Sequence, residues 1–253
     1  MLPPSFLAAP IAHRALHDRA AGRPENSVEA IEAAIAAGYG IEIDLQLSAD
    51  GRAMVFHDYD LARLTGQKGA IQRRSASELG SIRLLGGATG IPTLPQVLDL
   101  VAGRVPLLIE LKDQDGALGA AVGRLEEATA QALTAYDGPA AVMSFNPNSV
   151  RIMAGLAPDL PRGLTTCSFR PEDWMLIPGG TRDRLREIPD YDDVQAHFIS
   201  HEAQDLDRPR VAQLKSRGVP VLCWTIRSPE QEAQARRIAD NVTFEGYAAE
   251  IPS

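Results

Sequence analysis

Hydrophobic residues in this chain fall into short continuous runs, and most of these runs are followed by a stretch with helical periodicity. A run of about four to eight mostly apolar residues, bounded by Gly, Pro or polar residues, is typical of a strand that is buried on both faces. Such runs occur at residues 6–13, 41–47, 105–111, 140–145, 163–167, 193–200, 219–225 and 241–244. The intervening patterns and capping residues predict helices over 27–37, 94–102, 116–135 and 208–217, and further helices beginning near 147 and 229.

The number and order of these elements predict the fold class. Eight strands that alternate with helices in 253 residues predict a TIM (β/α)8 barrel, with the whole chain, 1–253, as one domain. A doubly wound sheet is the alternative, but no G-x-G-x-x-G motif follows the first strand. Residues 59–92 are polar and irregular, so we interpret them as a small insertion on the barrel.

The second predicted strand differs from the others because polar residues alternate within it. Glu42 and Asp44 are two positions apart in residues 41–47, and this spacing places both carboxylates on one face of the strand. Asp50-Gly51 follows and is a strong signal for a two-residue hairpin turn, because both residues tolerate the positive φ of a type I′ turn. We therefore expect a β-hairpin after strand 2.

This turn also predicts the register of the hairpin. If Asp50 and Gly51 are the two turn residues, the return arm at 53–57 pairs so that Asp44 lies opposite His57. The hairpin is then expected to bring an imidazole beside two carboxylates. Such a group is compatible with a divalent cation and an adjacent general acid or base.

Polar and aromatic side chains are concentrated at the C-terminal ends of the predicted strands, where the active sites of TIM barrels lie. They are His13, Arg14, Glu42, Asp44, Glu110, Lys112, Ser144, Phe145 and Trp224. Three carboxylates from two strands, without a cysteine ligand, favour a hard cation such as Mg²⁺ or Ca²⁺ over zinc. The strand ends therefore predict a metal site with histidines and cationic side chains around it.

Composition excludes several other classes. The net charge is −8, from 25 basic and 33 acidic residues, which argues against a broad nucleic-acid surface. No run approaches 18 apolar residues, and residues 1–12 contain no Lys, Arg or long apolar segment, so we expect no stable membrane insertion and a cytoplasmic location. Cys167 and Cys223 have no CxxC spacing, and we interpret them as core residues.

Taken together, these residues resemble the glycerophosphodiester phosphodiesterase family. The matching motifs are His13-Arg14, Pro24-Glu25-Asn26-Ser27, Glu42-x-Asp44, Asp50-Gly51, His57-Asp58, Leu61-x-Arg63-x-Thr65, Ile91-Pro92-Thr93-Leu94, Glu110-x-Lys112, Ser144-Phe145 and Trp224-Thr225. Each motif is weak alone. Their occurrence in the family's order over most of the chain makes the resemblance highly specific.

The resemblance implies a function for the strand ends. It implies a TIM barrel that uses a divalent cation to hydrolyse glycerophosphodiesters to glycerol 3-phosphate and an alcohol. In the family a glycerol hydroxyl is thought to attack phosphorus, giving a cyclic phosphate that water opens. The roles it implies are metal ligation by Glu42, Asp44 and Glu110, acid/base catalysis by His13 and His57, phosphate binding by Arg14 and Lys112, and organisation of the substrate site by Glu25.

Other assignments stay open at this point. Phe145 and Trp224 are candidates for packing against the glycerol, with core packing as the alternative. Ala15 stands where the family usually has a glycine, and Glu245 either replaces the family's Asp near the last strand or is unrelated to it.

Two other functions are also considered. A related phosphodiesterase acting on lysophospholipids or sphingolipids would need an apolar, membrane-facing mouth. A non-catalytic binding barrel is disfavoured because the histidines and the carboxylates are all present.

Overall fold

The computed structural model describes residues 1–252, and within them eight parallel strands close into a barrel. The strands are β1 Ile11–Ala12, β2 Gly40–Leu47, β4 Leu107–Leu111, β5 Ala140–Ser144, β6 Arg162–Thr166, β7 Phe198–Glu202, β8 Val221–Ile226 and β9 Asn241–Phe244. Strand β1 pairs with both β2 and β9, and this double pairing closes the ring. The short strand β3, Ala53–Val55, pairs antiparallel with β2 and is the return arm of the hairpin. The predicted TIM barrel is confirmed.

Helices follow most of the strands and surround the barrel. They are α1 Ser5–Ala8, α2 Val28–Ala37, α3 Ala62–Thr65, α4 Ala76–Ser81, α5 Leu94–Val101, α6 Arg124–Leu133, α7 Pro147–Leu156, α8 Gly179–Arg186, α9 Pro209–Ser216 and α10 Pro229–Ala235. Short 3₁₀ turns lie at Arg19–Ala21, Ile71–Arg73, Pro189–Tyr191 and Ala203–Asp205. Among the helices described, none has the length and hydrophobicity needed to cross a membrane.

Three predicted elements begin five or more residues later in the structure than the sequence predicts. The run at 6–13 is not one strand, because Ser5–Ala8 is helical and the side chain of Phe6 packs into the apolar interior. The predicted helix over 116–135 begins only at Arg124, after a glycine-containing segment. The strand predicted over 193–200 begins at Phe198, and a 3₁₀ turn precedes it. Burial of Phe6, which is a tertiary property, outweighs the strand pattern at 6–13. Gly123, with φ of +132°, interrupts the predicted helix, and Gln195, with φ of 53°, interrupts the predicted strand at 193–200.

The predicted register of the hairpin is wrong by one residue. Leu45 pairs with Val55, so the backbone carbonyl of Asp44 accepts a hydrogen bond from the amide of Phe56 at 2.9 Å, and His57 is not its partner. The loop has three residues instead of two, and Gly51 occupies its left-handed position with φ of +77°.

Ser48 explains the longer loop. Its hydroxyl accepts a hydrogen bond from the amide of Arg52 at 2.8 Å and donates one to Asp50 Oδ1 at 2.6 Å. A three-residue hairpin loop that ends in a left-handed glycine is the next most common type after the two-residue turns.

The interior of the barrel leaves no room for a side chain at one position of β6. A Cβ atom added to Gly163 would overlap the ring of Phe198, which is fully buried in the neighbouring strand β7. We expect Gly163→Ala to destabilise the protein by about 1–3 kcal/mol, the usual cost of overpacking a well-packed core. Urea unfolding monitored by circular dichroism measures the change.

Gly180→Ala is the matched control for this substitution, because an added Cβ at Gly180 has no neighbour within 4 Å. A Gly163→Ala variant as stable as the wild type would show that the space around Phe198 is larger than the structure indicates.

Residues 59–92, the predicted insertion, include α3 and α4 and pack with the return arm of the hairpin around a small apolar cluster. The side chains of this cluster are Met54, Phe56, Leu61, Leu64, Ile71, Leu79, Ile82, Leu84 and Ile91. Ser75 and Glu78 form a capping box at the start of α4. The segment joins the end of the hairpin to α5, so it borders the mouth of the barrel beside His57 and Asp58.

Candidate active site

Three carboxylates meet at the C-terminal ends of β2 and β4. Asp44 and Glu110 are neighbours in the register of these parallel strands, and Glu42 precedes Asp44 by two residues on the same face. Oxygen atoms of Glu42, Asp44 and Glu110 lie within 4.8 Å of one another. Their side chains are almost entirely buried, with 1%, 1% and 6% exposure, respectively. The strand alternation seen in the sequence therefore produces one concentrated acidic centre.

Two basic residues lie against this acidic centre. Lys112 Nζ is 2.8 Å from Asp44 Oδ1 and 2.6 Å from Glu110 Oε1. The Nε atom of Arg14 is 3.5 Å from Asp44 Oδ2. The backbone amide of Arg14 donates a hydrogen bond to Glu42 Oε2 at 2.8 Å. Both predicted phosphate-binding residues thus contact predicted metal ligands.

The loop that makes these contacts has a strained backbone. Arg14, Ala15 and Asn26 have φ of 52°, 65° and 59°, in the left-handed region that L-residues rarely adopt. A left-handed conformation favours glycine, which is the residue that the family usually has at this position. In this chain Ala15 adopts the conformation with its methyl group buried. Asn26 donates a hydrogen bond from Nδ2 to Asp44 Oδ2 at 2.9 Å. The loop after β1 is therefore shaped by the carboxylates that it contacts.

The charges of the acidic centre are not balanced by its basic neighbours. Burial, reinforced by the negative charges of Asp44 and Glu110, raises the pKa of Glu42 well above its usual range. Burial also opposes ionisation of Asp44, but the positive charges of Lys112, His57 and Arg14 hold its pKa far below the ordinary value. Within residues 1–252, Glu42 forms no ion pair. Three buried oxygen ligands with excess negative charge fit a hard divalent cation such as Mg²⁺ or Ca²⁺.

Each candidate catalytic histidine is held by a carboxylate. His13 Nδ1 lies 2.6 Å from Glu245 Oε2, and His57 Nδ1 lies 2.8 Å from Asp58 Oδ1. A carboxylate on Nδ1 fixes the proton there and leaves Nε2 as the free nitrogen. Burial and the positive charge of Arg14 lower the pKa of His13, although the hydrogen bond to Glu245 acts in the opposite direction. Both rings are therefore oriented with one nitrogen available.

A network of ion pairs connects one histidine with Arg14. Arg63 contacts both Asp58 and Glu25 at 2.7 Å, and Glu25 in turn contacts Arg14 Nη1 at 2.8 Å. Glu25, a predicted substrate-site residue, thus contacts two arginines and does not line the cavity described below. Its part in binding substrate stays a prediction.

A cavity of about 860 Å³ opens beside the acidic centre. Among the predicted site residues its lining includes His57, Glu110, Lys112, Phe145 and Trp224. The other predicted site residues, His13, Arg14, Glu25, Glu42 and Asp44, do not line it. The cavity therefore has a charged side at Glu110 and Lys112 and a hydrophobic side at Phe145 and Trp224, and the loop that carries His13 does not line it.

Aromatic rings form that hydrophobic side. The ring of Phe145 lies 4.9 Å from Trp174 and 5.5 Å from Trp224, measured between ring centres. Trp224 also donates a hydrogen bond from Nε1 to the carbonyl of Ser200 at 3.0 Å. Phe145 and Trp224 pack against each other and also border the cavity. Their positions are therefore compatible both with core packing and with contact to the glycerol of a substrate.

The sequence leaves Asp58 either as a residue that orients a histidine or as a hairpin-end acid, and it leaves Arg63 without a role. In the structure Asp58 contacts His57, and Arg63, five residues after Asp58, contacts Asp58. Glu245 is separated from His13 by 232 residues, and no local pattern links the two. Their contact depends on β9 pairing with β1 as the barrel closes.

Comparisons with known proteins agree with this architecture. The sequence model of the glycerophosphoryl diester phosphodiesterase family matches residues 13–243. A glycerophosphodiester phosphodiesterase of Caldanaerobacter subterraneus is 31% identical over 229 residues, which is 87% of either chain.

Solved structures extend the similarity. A phosphodiesterase of Oleispira antarctica, in complex with the product sn-glycerol-3-phosphate, has a TM-score of 0.75 and 25% identity, covering 95% of this chain and 94% of its own. A glycerophosphodiester phosphodiesterase of Parabacteroides distasonis shares the fold, with a TM-score of 0.72 and 23% identity over 94% of this chain and 92% of its own. With a family match that spans most of the barrel, the chain belongs to the glycerophosphoryl diester phosphodiesterase family.

Proposed function

We propose that this protein hydrolyses glycerophosphodiesters to glycerol 3-phosphate and an alcohol, with a bound divalent cation and with His13 and His57 as the acid/base pair. The observation that carries the proposal is the buried centre of Glu42, Asp44 and Glu110 at the barrel mouth of a family member. The Oleispira antarctica relative, described in complex with sn-glycerol-3-phosphate, supports this choice of product.

The cation would be held by Glu42, Asp44 and Glu110, whose oxygens already converge. When bound, a divalent cation supplies positive charge to the phosphoryl oxygens and acidifies a coordinated hydroxyl or water. Lys112 lies both at this centre and in the cavity lining, and it binds a phosphoryl oxygen as a permanent positive charge. Burial opposes protonation of Lys112, but Asp44 and Glu110 raise its pKa, so the ammonium stays charged.

The two histidines divide the proton transfers. A ring whose Nδ1 proton is bound by a carboxylate has a free lone pair at Nε2 and accepts a proton from the attacking glycerol hydroxyl. The other ring, in its protonated form, donates a proton from Nε2 to the leaving alcohol oxygen. The roles are reversed when water opens the cyclic phosphate. Glu245 and Asp58 stabilise the imidazolium that forms on His13 or His57.

A second substrate class is favoured by one feature of the cavity mouth. Met175 and Leu176 are 81% and 80% exposed. In the sequence they directly follow Trp174, which lines the cavity. Exposed apolar side chains of this size next to a binding cavity are typical of a surface that contacts apolar ligands. Lysophospholipids, which carry an acyl chain, are therefore the alternative substrates.

The test is an assay of purified protein with glycerophosphocholine, glycerophosphoethanolamine and lysophosphatidylcholine. We expect release of glycerol 3-phosphate from the two water-soluble diesters, measured by a coupled dehydrogenase assay. Release of choline from lysophosphatidylcholine at a higher kcat/KM would favour the lysophospholipid alternative. Absence of turnover with every diester, in the presence of Mg²⁺ or Ca²⁺, would contradict an enzymatic role for the site.

A further inference from the structure

A second group of metal-ligating side chains lies next to the acidic centre. It consists of His13, His17 and Glu245, whose ligand atoms lie within 4.8 Å of one another. Glu245 Oε2 is 2.6 Å from His13 Nδ1 and 3.5 Å from His17 Nε2. His13 and His17 belong to the loop after β1, and Glu245 directly follows β9. Closure of the barrel therefore creates this group of side chains.

One atom of the group lacks a partner. His17 Nε2 is shielded from solvent and has no hydrogen-bond partner among residues 1–252. Its separation of 3.5 Å from Glu245 exceeds a normal hydrogen-bond length. A buried polar nitrogen without a partner is unfavourable unless something else binds it. His17 Nε2 is directed towards the same carboxylate oxygen that binds His13.

The donor atoms differ in kind from those of the acidic centre. Two imidazole nitrogens and one carboxylate oxygen are the ligand set of many zinc sites that keep a fourth position for water. In a tetrahedral zinc site with bonds of about 2.0–2.1 Å, neighbouring ligand atoms are roughly 3.3 Å apart. The separations of 2.6 Å and 3.5 Å lie on either side of that value. The third pair, His13 Nδ1 and His17 Nε2, also lies within 4.8 Å.

The other oxygen of Glu245 is already occupied. Arg227 Nε donates a hydrogen bond to Glu245 Oε1 at 2.8 Å. This contact leaves Oε2 facing the two imidazoles, and it restricts the carboxylate to one orientation. A carboxylate that is hydrogen-bonded in this way is typical of ligands whose geometry is set by outer contacts.

We propose that His13, His17 and Glu245 form a second metal site, specific for Zn²⁺ or a similar transition metal, and that metal binding there inhibits the enzyme. Inhibition follows from the tautomer of His13. With Nδ1–H bound to Glu245, Nε2 has a free lone pair. When Nδ1 binds zinc, the Nδ1–H bond breaks, the proton of the neutral ring moves to Nε2, and Nε2 has no lone pair left to accept a proton. The inhibition rests on the proposed role of His13, whereas zinc binding itself does not.

The variant that tests this proposal is His17→Gln. His17 neither lines the cavity nor takes part in the proposed proton transfers, so we expect the variant to keep its turnover in the absence of zinc. With Mg²⁺ in excess, micromolar Zn²⁺ is expected to inhibit the wild type. Because one of three protein ligands is lost, His17→Gln should need at least about tenfold more Zn²⁺ for the same inhibition. His197→Gln is the matched control, because His197 precedes the N-terminal end of β7, at the end of the barrel away from the mouth. This variant should respond to Zn²⁺ like the wild type.

Binding is measured separately with Co²⁺, which gives intense visible bands in a four-coordinate site with histidine ligands. We expect these bands in the Mg²⁺-loaded wild type and in His197→Gln, and their loss in His17→Gln. This result would support the site even if the diesters were not turned over. Equal zinc inhibition of wild type and His17→Gln, or equal Co²⁺ spectra, would overturn the proposal.

Discussion

Replacement of His57 by alanine is expected to lower kcat for glycerophosphodiester hydrolysis by about 10²-fold or more, and His13→Ala is expected to do the same. Each ring is held through Nδ1 by a carboxylate, so each presents one nitrogen to the reaction. Without either ring, a proton must be exchanged with water in one half of the reaction. Initial rates of glycerol 3-phosphate release measure the effect.

Variants of the two carboxylates separate positioning from proton transfer. Asp58→Asn and Glu245→Gln keep an oxygen that accepts the Nδ1–H hydrogen bond but lose the charge that stabilises the imidazolium. We expect their kcat values to fall less than those of the alanine variants, with KM nearly unchanged. Thermal unfolding checks that every variant is folded. Full activity in either histidine variant would contradict the two-histidine mechanism.

Removal of divalent cations is expected to abolish activity, and Mg²⁺ or Ca²⁺ should restore it. The physical reason is the concentration of charge at the acidic centre, where the three buried carboxylates form ion pairs, within residues 1–252, with Lys112 and Arg14 alone. A cation bound there stabilises the folded state by mass action, by about 2.7 kcal/mol at a concentration of 100 times Kd. Activity and Tm are therefore measured in EDTA and after adding back each cation. Full activity after exhaustive chelation would exclude a required metal.

The Glu42→Gln variant tests whether Glu42 is one of the ligands of the cation. Burial and the negative charges of the neighbouring carboxylates disfavour the ionised form of Glu42. The neutral side chain of glutamine at this position does not repel Asp44 and Glu110. We expect the metal-free variant to have a Tm equal to or above that of the metal-free wild type. The same variant should lose the Tm increase on adding the cation, and its kcat/KM should fall by about 10²-fold. Asp99→Asn, on the exposed side of α5, is the control and should change neither property.

A Tm increase that is as large in Glu42→Gln as in the wild type would show that the cation binds elsewhere. A metal-free variant much less stable than the wild type would show that Glu42 has a structural role that the present contacts do not reveal.

Much of the fold could be predicted from the sequence because strand and helix periods are local properties. The alternation of Glu42 and Asp44 along β2, and the position of Glu110 in β4, were enough to predict an acidic centre. The register of the parallel strands β2 and β4, which the structure provides, then places Asp44 beside Glu110. The hairpin was predicted, but its register was not, because the hydrogen bonds of Ser48 favour a three-residue loop.

Other features depend on which distant segments meet. Phe6 lies in an apolar run that is typical of a strand, yet it belongs to a short helix. Its side chain packs into the barrel interior. Arg63 contacts Glu25, which is 38 residues away in sequence, so the segment at 59–92 contributes an ion pair to the candidate site. Neither arrangement has a local signal, because both result from packing after the chain has folded.

The sequence by itself determined the eight-strand pattern, the family resemblance and the residues of the acidic centre, since these follow from spacing along single elements. Only the tertiary structure decided which carboxylate holds each histidine. Glu245 reaches His13 because β9 pairs with β1, and this closure brings together residues at the two ends of the chain. The same closure places His17 beside Glu245, where the second metal site is proposed.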